Sequence, residues 1–132
     1  MNIKHWMDDV SHNKIKRALP ILSFPSVQLL HISVKDLIAS SDMQAKGMKM
    51  IADRLESAAS VSMMDLSVEA EAFGATVRFS ENEVPTVIGA LVSDEEEAEA
   101  LAVPAVGAGR TGLYIDSLLQ NIDFGEEGQS TI

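Results

Sequence analysis

The chain has 132 residues, a net charge of −10 and no cysteine. That length suits one domain with its own core. The ten basic side chains are outnumbered by twenty acidic ones, which argues against binding nucleic acid or an anionic membrane surface, and the lack of cysteine removes disulfides and thiolate metal ligands.

The N-terminus carries His5, Asp8 and Asp9 where a secretion signal needs an apolar core. No run approaches the roughly 18 apolar residues of a membrane span, so a cytoplasmic protein is expected. Ile3, Trp6, Met7 and Val10 fall on one face of a short helix, and Trp6 reads as the anchor that docks it. Lys14, Lys16 and Arg17 then form a basic patch, read as a solvated turn. Pro20 and Pro25 bracket an extended segment, because the residue before a proline is pushed away from helix.

Val27 to Ile38 is helix-prone, with a short helix at Val34–Ile38. Ser40, Ser41 and Asp42 form the next cap. Asp42 to Ala58 is the strongest helix, with Met48, Ile51, Leu55 and Ala58 as its apolar stripe and Lys49 and Asp53 paired at i, i+4. It is expected to pack on a buried strand at Ser60–Leu66.

Around that strand lies the stretch with most chemical content, SVSMMDLSVEAEAFGATV at residues 60–77. An apolar run ends at Asp65, and a short acidic helix follows and stops at Gly74. Carboxylates at the C-terminal ends of strands are where α/β barrels place their chemistry. Asp before a helix is also a helix cap, so Asp65 has two readings from position alone. Glu69 and Glu71, two apart, lie on different faces and do not form an acid–base pair. Ser60, Ser62 and Ser67 have no partnered base nearby and no nucleophile-elbow motif.

Ala75–Phe79 and Pro85–Val92 read as the strands of a hairpin around the polar turn 80–84. Ser93 and Glu96 read as a capping box for a helix opening with Glu95, Glu96, Glu97 and Glu99. These glutamates complement the helix dipole; sequential glutamates on a helix do not converge on one cation. Gly107, Gly109 and Gly112 resemble a dinucleotide fingerprint but follow a Pro-containing loop, not a strand. The loop reads as a linker in which Thr111 caps a last helix bearing Tyr114, Ile115, Leu118 and Leu119. Residues 121–132 lack periodicity and are expected to form a disordered tail. His5, His12 and His31 are isolated and match no metal-ligand spacing; His31 either crowds a turn or faces solvent.

Met64-Asp65-Leu66 through Phe73-Gly74-Ala75-Thr76-Val77, with Arg17–Leu22 upstream and Glu83-Val84-Pro85 to about Arg110 downstream, resembles the uroporphyrinogen decarboxylase superfamily. The methylcobalamin:coenzyme M methyltransferase-like branch is the more similar one. The resemblance implies an α/β fold, the N-terminal portion of a (β/α)8 barrel, incomplete, with N-terminal helices and a β-hairpin excursion over residues 1–120. Such a barrel takes about 250 residues, so the expected surface is an open edge covered by the missing barrel half or by a second copy. The resemblance further implies that Asp65 is the substrate-facing carboxylate. The decarboxylase branch also holds its substrate with arginines in an N-terminal loop; the matching residues 23–30 contain none. The methyltransferase branch uses zinc, held by one histidine and two cysteines, together with methylcobalamin; those ligands are absent here, so no cofactor is expected in this chain. The expected function is an N-terminal segment of a corrinoid-dependent methyltransferase, inactive alone, with a corrinoid protein as a possible partner. The alternative is a small non-catalytic α/β module that self-associates or binds a partner. A third reading, a ligand-binding domain using the Gly107–Gly112 loop, rests on that loop alone.

Overall fold

The computed structural model describes the backbone of residues 2–125 and the side chains of residues 2–120. Helix α1 spans Ile3–His12, capped by Asn2, whose side chain accepts from the N–H groups of Lys4 and His5. Trp6 and Val10 are half-buried, whereas Ile3 and Met7 on the same face are exposed. Trp6, Ile15, Arg17 and Ala58 line one open cleft, and α1 has no fully buried residue, so the expected docking is shallow.

Helices α2 (Ser26–Leu30), α3 (Val34–Ile38) and α4 (Ser41–Arg54) follow. Ser33 and Asp36 cap α3 reciprocally, and the Ser40 side chain accepts the Met43 N–H at the start of α4. These short polar side chains satisfy amides that have no partner inside the helix. The core is small: Val34, Leu37, Ile38 and Met63 are buried together, with Phe24, Val27, Leu30, Ile32, Met43 and Tyr114 packed around them. Helix α4 packs against α2, α3 and α7. Its buried face is Gln44, Ala45, Gly47 and Met48, one turn earlier than the stripe read from sequence. Leu55 ends the helix as an exposed cap residue. Gly47 permits the α2–α4 approach, since a Cβ there would stand 2.6 Å from Ser26 Oγ.

Residues 61–66 form no ladder; only Ser60 makes a β-bridge. Met63 is buried, but Met64 and Leu66 are exposed. A buried strand needs neighbours for its N–H and C=O groups, and among the described residues no strand pairs with this segment. The expected buried strand is therefore an extended segment. Helix α5 (Ser67–Ala72) follows, then the hairpin of β1 (Val77–Arg78) and β2 (Thr86–Val87), antiparallel with Val77 opposite Val87. The hairpin occurs where expected, with shorter strands. Its turn is tied to α3 by Lys35, whose N–H donates to Glu81 O and whose Nζ meets Glu81 at 2.9 Å.

Helix α6 (Glu95–Glu99) is capped by Asp94, which accepts the Glu97 N–H, while Glu97 accepts the Ser93 N–H. The expected capping motif is present one residue later than Ser93 and Glu96. Ser and Asp cap comparably, and Asp94 is the residue that lies in extended backbone just before the helix. Helix α7 (Thr111–Gly125) continues five residues past the boundary expected at 120; residues 126–132 lie outside the described residues. Thr111 donates to Ala108 O instead of accepting an N–H as a cap. Among the described residues no helix is long and apolar enough to cross a membrane.

Candidate functional site

Asp65 sits at the end of the extended segment, immediately before α5. Its carboxylate accepts four hydrogen bonds, the usual capacity of that group. Oδ1 takes the Ser67 N–H at 2.9 Å and the Ser67 Oγ–H at 2.6 Å. Oδ2 takes Arg110 Nη1 at 2.6 Å and the Tyr114 hydroxyl at 2.9 Å. The side chain is 3% exposed. The helix-cap reading is thus met in part, because one carboxylate oxygen holds a first-turn amide of α5. The other oxygen is committed to α7.

Arg110 is the centre of the cluster. Nε donates to Glu71 Oε2 at 2.6 Å and Nη2 to Ser67 Oγ at 2.8 Å, while the guanidinium lies 4.9 Å from the centroid of the Phe79 ring. Local structure explains the convergence. Ser67 and Glu71 are four apart on α5, and Arg110 and Tyr114 are four apart at the start of α7, so each pair shares a helix face. Gly107 and Gly109 have φ of 81° and 57°, a region L side chains rarely adopt, and these turns bring Arg110 back toward α5.

Burial pulls the Asp65 carboxyl upward, but the bonds from Ser67, Arg110 and Tyr114 outweigh it and hold it below the ordinary carboxylate range. Burial likewise opposes the charge on Arg110, and Asp65 and Glu71 more than restore it. Burial and the adjacent Asp65 charge push the Tyr114 phenol up, well beyond its ordinary value. At neutral pH Asp65 and Arg110 are therefore charged and Tyr114 is neutral. All three are shifted away from neutrality, where acid–base catalysis works best, which suits these groups to fixed charge and hydrogen bonding.

Asp65 also contributes to the walls of two clefts. One, of about 420 Å³, runs between the extended segment and α7 past Met63, Val68, Tyr114 and Leu118. The other, of about 450 Å³, is lined by Ile21, Phe24, Pro25, Met64, Val84 and neighbours, none of them basic.

The remaining sequence candidates lie elsewhere. Glu69 is exposed, while Glu71 belongs to the cluster. Ser67 is bonded to a carboxylate and a guanidinium, not to a base. His5 lies 3.7 Å from Asp9, and His12 Nδ1 lies 2.7 Å from Asp8 O, both on exposed α1. His31 ends α2 in the left-handed region with φ 55°, exposed, so both notions of it hold: a tight turn facing solvent. Among the described residues no three His, Asp or Glu side chains converge as metal ligands. With no thiol available, the residues present do not fit the zinc site of the methyltransferase branch. Arg110, Tyr114 and Glu71 were not singled out from sequence as partners of Asp65. The available signals were the i, i+4 spacings and the isolation of Arg110, the sole basic residue after Arg78.

The uroporphyrinogen decarboxylase family matches residues 25–120, and the chain belongs to that family. Curated protein sequences yield no match. Among solved structures, the fold is similar to a methyltransferase from Methanosarcina mazei, with a TM-score of 0.73 at 16% identity, over 98% of this chain and 40% of that one. The likeness is one of fold. It agrees in outline with a partial barrel-like arrangement, and the chain spans 40% of the length of the protein it matches.

Proposed function

We propose that this chain acts as the N-terminal segment of a uroporphyrinogen decarboxylase-like, corrinoid-dependent methyltransferase, and that it does not complete a catalytic cycle alone. The observation that carries this reading is the saturation of Asp65. Its four acceptor positions are filled by Ser67, Arg110 and Tyr114 of the same chain, so a substrate donor can bond to it only by displacing one of them. Asp65 in this state is a positioned charge joining α5 to α7, and it becomes substrate-facing when Arg110 or Tyr114 yields. The cleft on the N-terminal side of Asp65 has apolar walls and no basic residue, which favours a neutral or apolar group over a polyanionic porphyrinogen. For zinc and methylcobalamin the chain offers no fitting ligand set, and no step is assigned through them.

The test is transfer of a methyl group from methylcobalamin to coenzyme M, with and without added zinc, by the purified chain. No thioether product is expected under either condition. Turnover above a buffer blank that is lost in Asp65→Asn would overturn the proposal.

A further inference from the structure

Residues 75–109 leave the body of the chain and return to it, carrying the hairpin, α6 and the Gly-rich loop. The two ends of this excursion meet at the Asp65 cluster, where Arg110, next to Gly109, donates to Glu71 at 2.6 Å, just ahead of Gly74. Gly74 at one end has φ 100°, and Gly107 and Gly109 at the other have 81° and 57°. Glycine crosses backbone regions closed to other residues, so the chain turns most freely at these two ends. Between them Pro85 is the one buried residue. Around it Val84, Val87, Ile88 and Leu91 are exposed, so the excursion has no apolar core of its own.

Pro85 is seated at the cleft of about 450 Å³ beside Asp65. It and Val84 are the excursion's share of that wall; the rest, including Ser23, Phe24 and Met64, belongs to the body. Ser23 there is 3% exposed. Among the described residues, the hydrogen bonds that tie residues 76–107 to the rest of the chain come from Lys35. The Lys35 N–H lies in the first turn of α3, where it lacks a partner inside the helix, and it donates to Glu81 O at 3.2 Å. Lys35 Nζ meets the Glu81 carboxylate at 2.9 Å, and both side chains are exposed, so the ion pair is a weak clasp. One buried plug, one weak clasp four residues from it and glycine at both ends are the parts of a hinged lid.

We propose that residues 75–109 form a lid over the cleft at Asp65. Pro85 closes the cleft, the Lys35–Glu81 pair clasps the lid shut, and rotation at Gly74 and at Gly107 and Gly109 lifts it to admit a ligand. The inference rests on reading that cleft as the ligand site. Its test reads movement and not methyl transfer, so each reading can fail without the other.

The chain has no cysteine, so Ser23→Cys places a single thiol in the lining of the closed cleft. Its reaction with the neutral reagent dithiodipyridine reads opening, and all variants carry it. The thiol should react more slowly than in the urea-unfolded chain, yet faster than the unfolding equilibrium extrapolated from urea permits. Glu81→Lys should speed the reaction about threefold at an unchanged urea midpoint, within the range of an exposed pair, and the swap of Lys35→Glu with Glu81→Lys should bring it back. Raising NaCl from about 50 to about 500 mM should speed the parent and not Glu81→Lys. Pro85→Ala should speed it about tenfold, the worth of the two buried carbons it deletes. If Pro85→Ala loses global stability in the same proportion, the Lys35–Glu81 swap decides. A rate set by global unfolding, or one that ignores either the Lys35–Glu81 exchanges or Pro85→Ala, overturns the proposal. A thiol as reactive as in the unfolded chain overturns it equally, by showing that nothing covers the cleft.

Discussion

Removing Arg110 should cost about 3 kcal/mol near neutral pH and much less in acid. The guanidinium makes charge-assisted bonds of 2.6 Å to Asp65, 2.6 Å to Glu71 and 2.8 Å to Ser67 Oγ. Bonds of that kind are worth roughly 1.5–3 kcal/mol each, less the cost of desolvating the cation. The two carboxylates will not respond alike. Glu71 is 27% exposed, so water can replace Arg110 and its share falls toward the small value of a surface pair. Asp65 is 3% exposed and rehydrates less readily than Glu71, and stranding a buried charge costs up to about 3–5 kcal/mol. Its two other partners, Ser67 and Tyr114, hold the expected loss near the lower end of that range.

The pH dependence separates this account from simple loss of packing. In the native chain Asp65 lies below its ordinary value. Its contribution is therefore present above the unfolded carboxylate range, about pH 4, and is lost as pH falls through the lower folded value. In Arg110→Ala the dominant remaining influence is burial, which raises the carboxyl. Acid then relieves the stranded charge by protonating it. Urea unfolding of both chains at about pH 7 and about pH 3 should show the gap between them shrinking from about 3 to about 1 kcal/mol. Arg110→Lys, which keeps the charge but loses the fork, should fall between the two. A gap below about 1 kcal/mol at neutral pH, or one that does not change with pH, would show that Asp65 is not the group Arg110 neutralises.

Tyr114 is the one tyrosine in the chain, so tyrosinate absorbance reads it alone; its titration should begin well above the ordinary value of about 10, and an ordinary titration would mean the Asp65 bond is not made. Tyr114→Phe should lower unfolding stability by about 1 kcal/mol, the worth of one hydrogen bond, measured in urea. Gly47→Ala should destabilise by about 1–3 kcal/mol through overpacking against Ser26, despite alanine's better helix propensity; a stabilised variant would show that α2 and α4 do not approach so closely. His31→Gly should stabilise by about 0.5–1 kcal/mol, because its φ of 55° suits glycine, and an unchanged thermal midpoint would count against that backbone conformation.

Local chemistry made much of this chain readable in advance. The short helix expected at Val34–Ile38 is present, α4 begins at Ser40, one of the expected polar caps, and the hairpin follows from two β-type runs around residues 80–84. Each of those signals lies within a few residues of the feature it specifies. Residues 60–66 misled for the opposite reason. Their composition favours a strand, but a strand exists only when another backbone pairs with it, and that partner is not local. Asp65 was legible as a carboxylate that ends an apolar run and precedes a short helix, whereas its partners Arg110 and Tyr114 are 45 and 49 residues away. Only the fold brings α7 over α5. The i, i+4 spacing within each helix said which side chains would face together, not what they would face.

The same geometry limits what Asp65 can do for a ligand. A donor approaching its carboxylate from either adjoining cleft finds no vacant acceptor position, so binding there is an exchange of bonds, not the addition of one. The ligand gains only the difference between its own bond and the one it displaces. It must also leave the displaced Arg110 or Tyr114 satisfied, because an unsatisfied buried donor costs about 1–3 kcal/mol. Among the described residues Tyr114 bonds no second carboxylate, whereas Arg110 retains Glu71. Arg110 is therefore the partner that a ligand would displace at least cost, and Glu71 is the residue that makes the displacement tolerable.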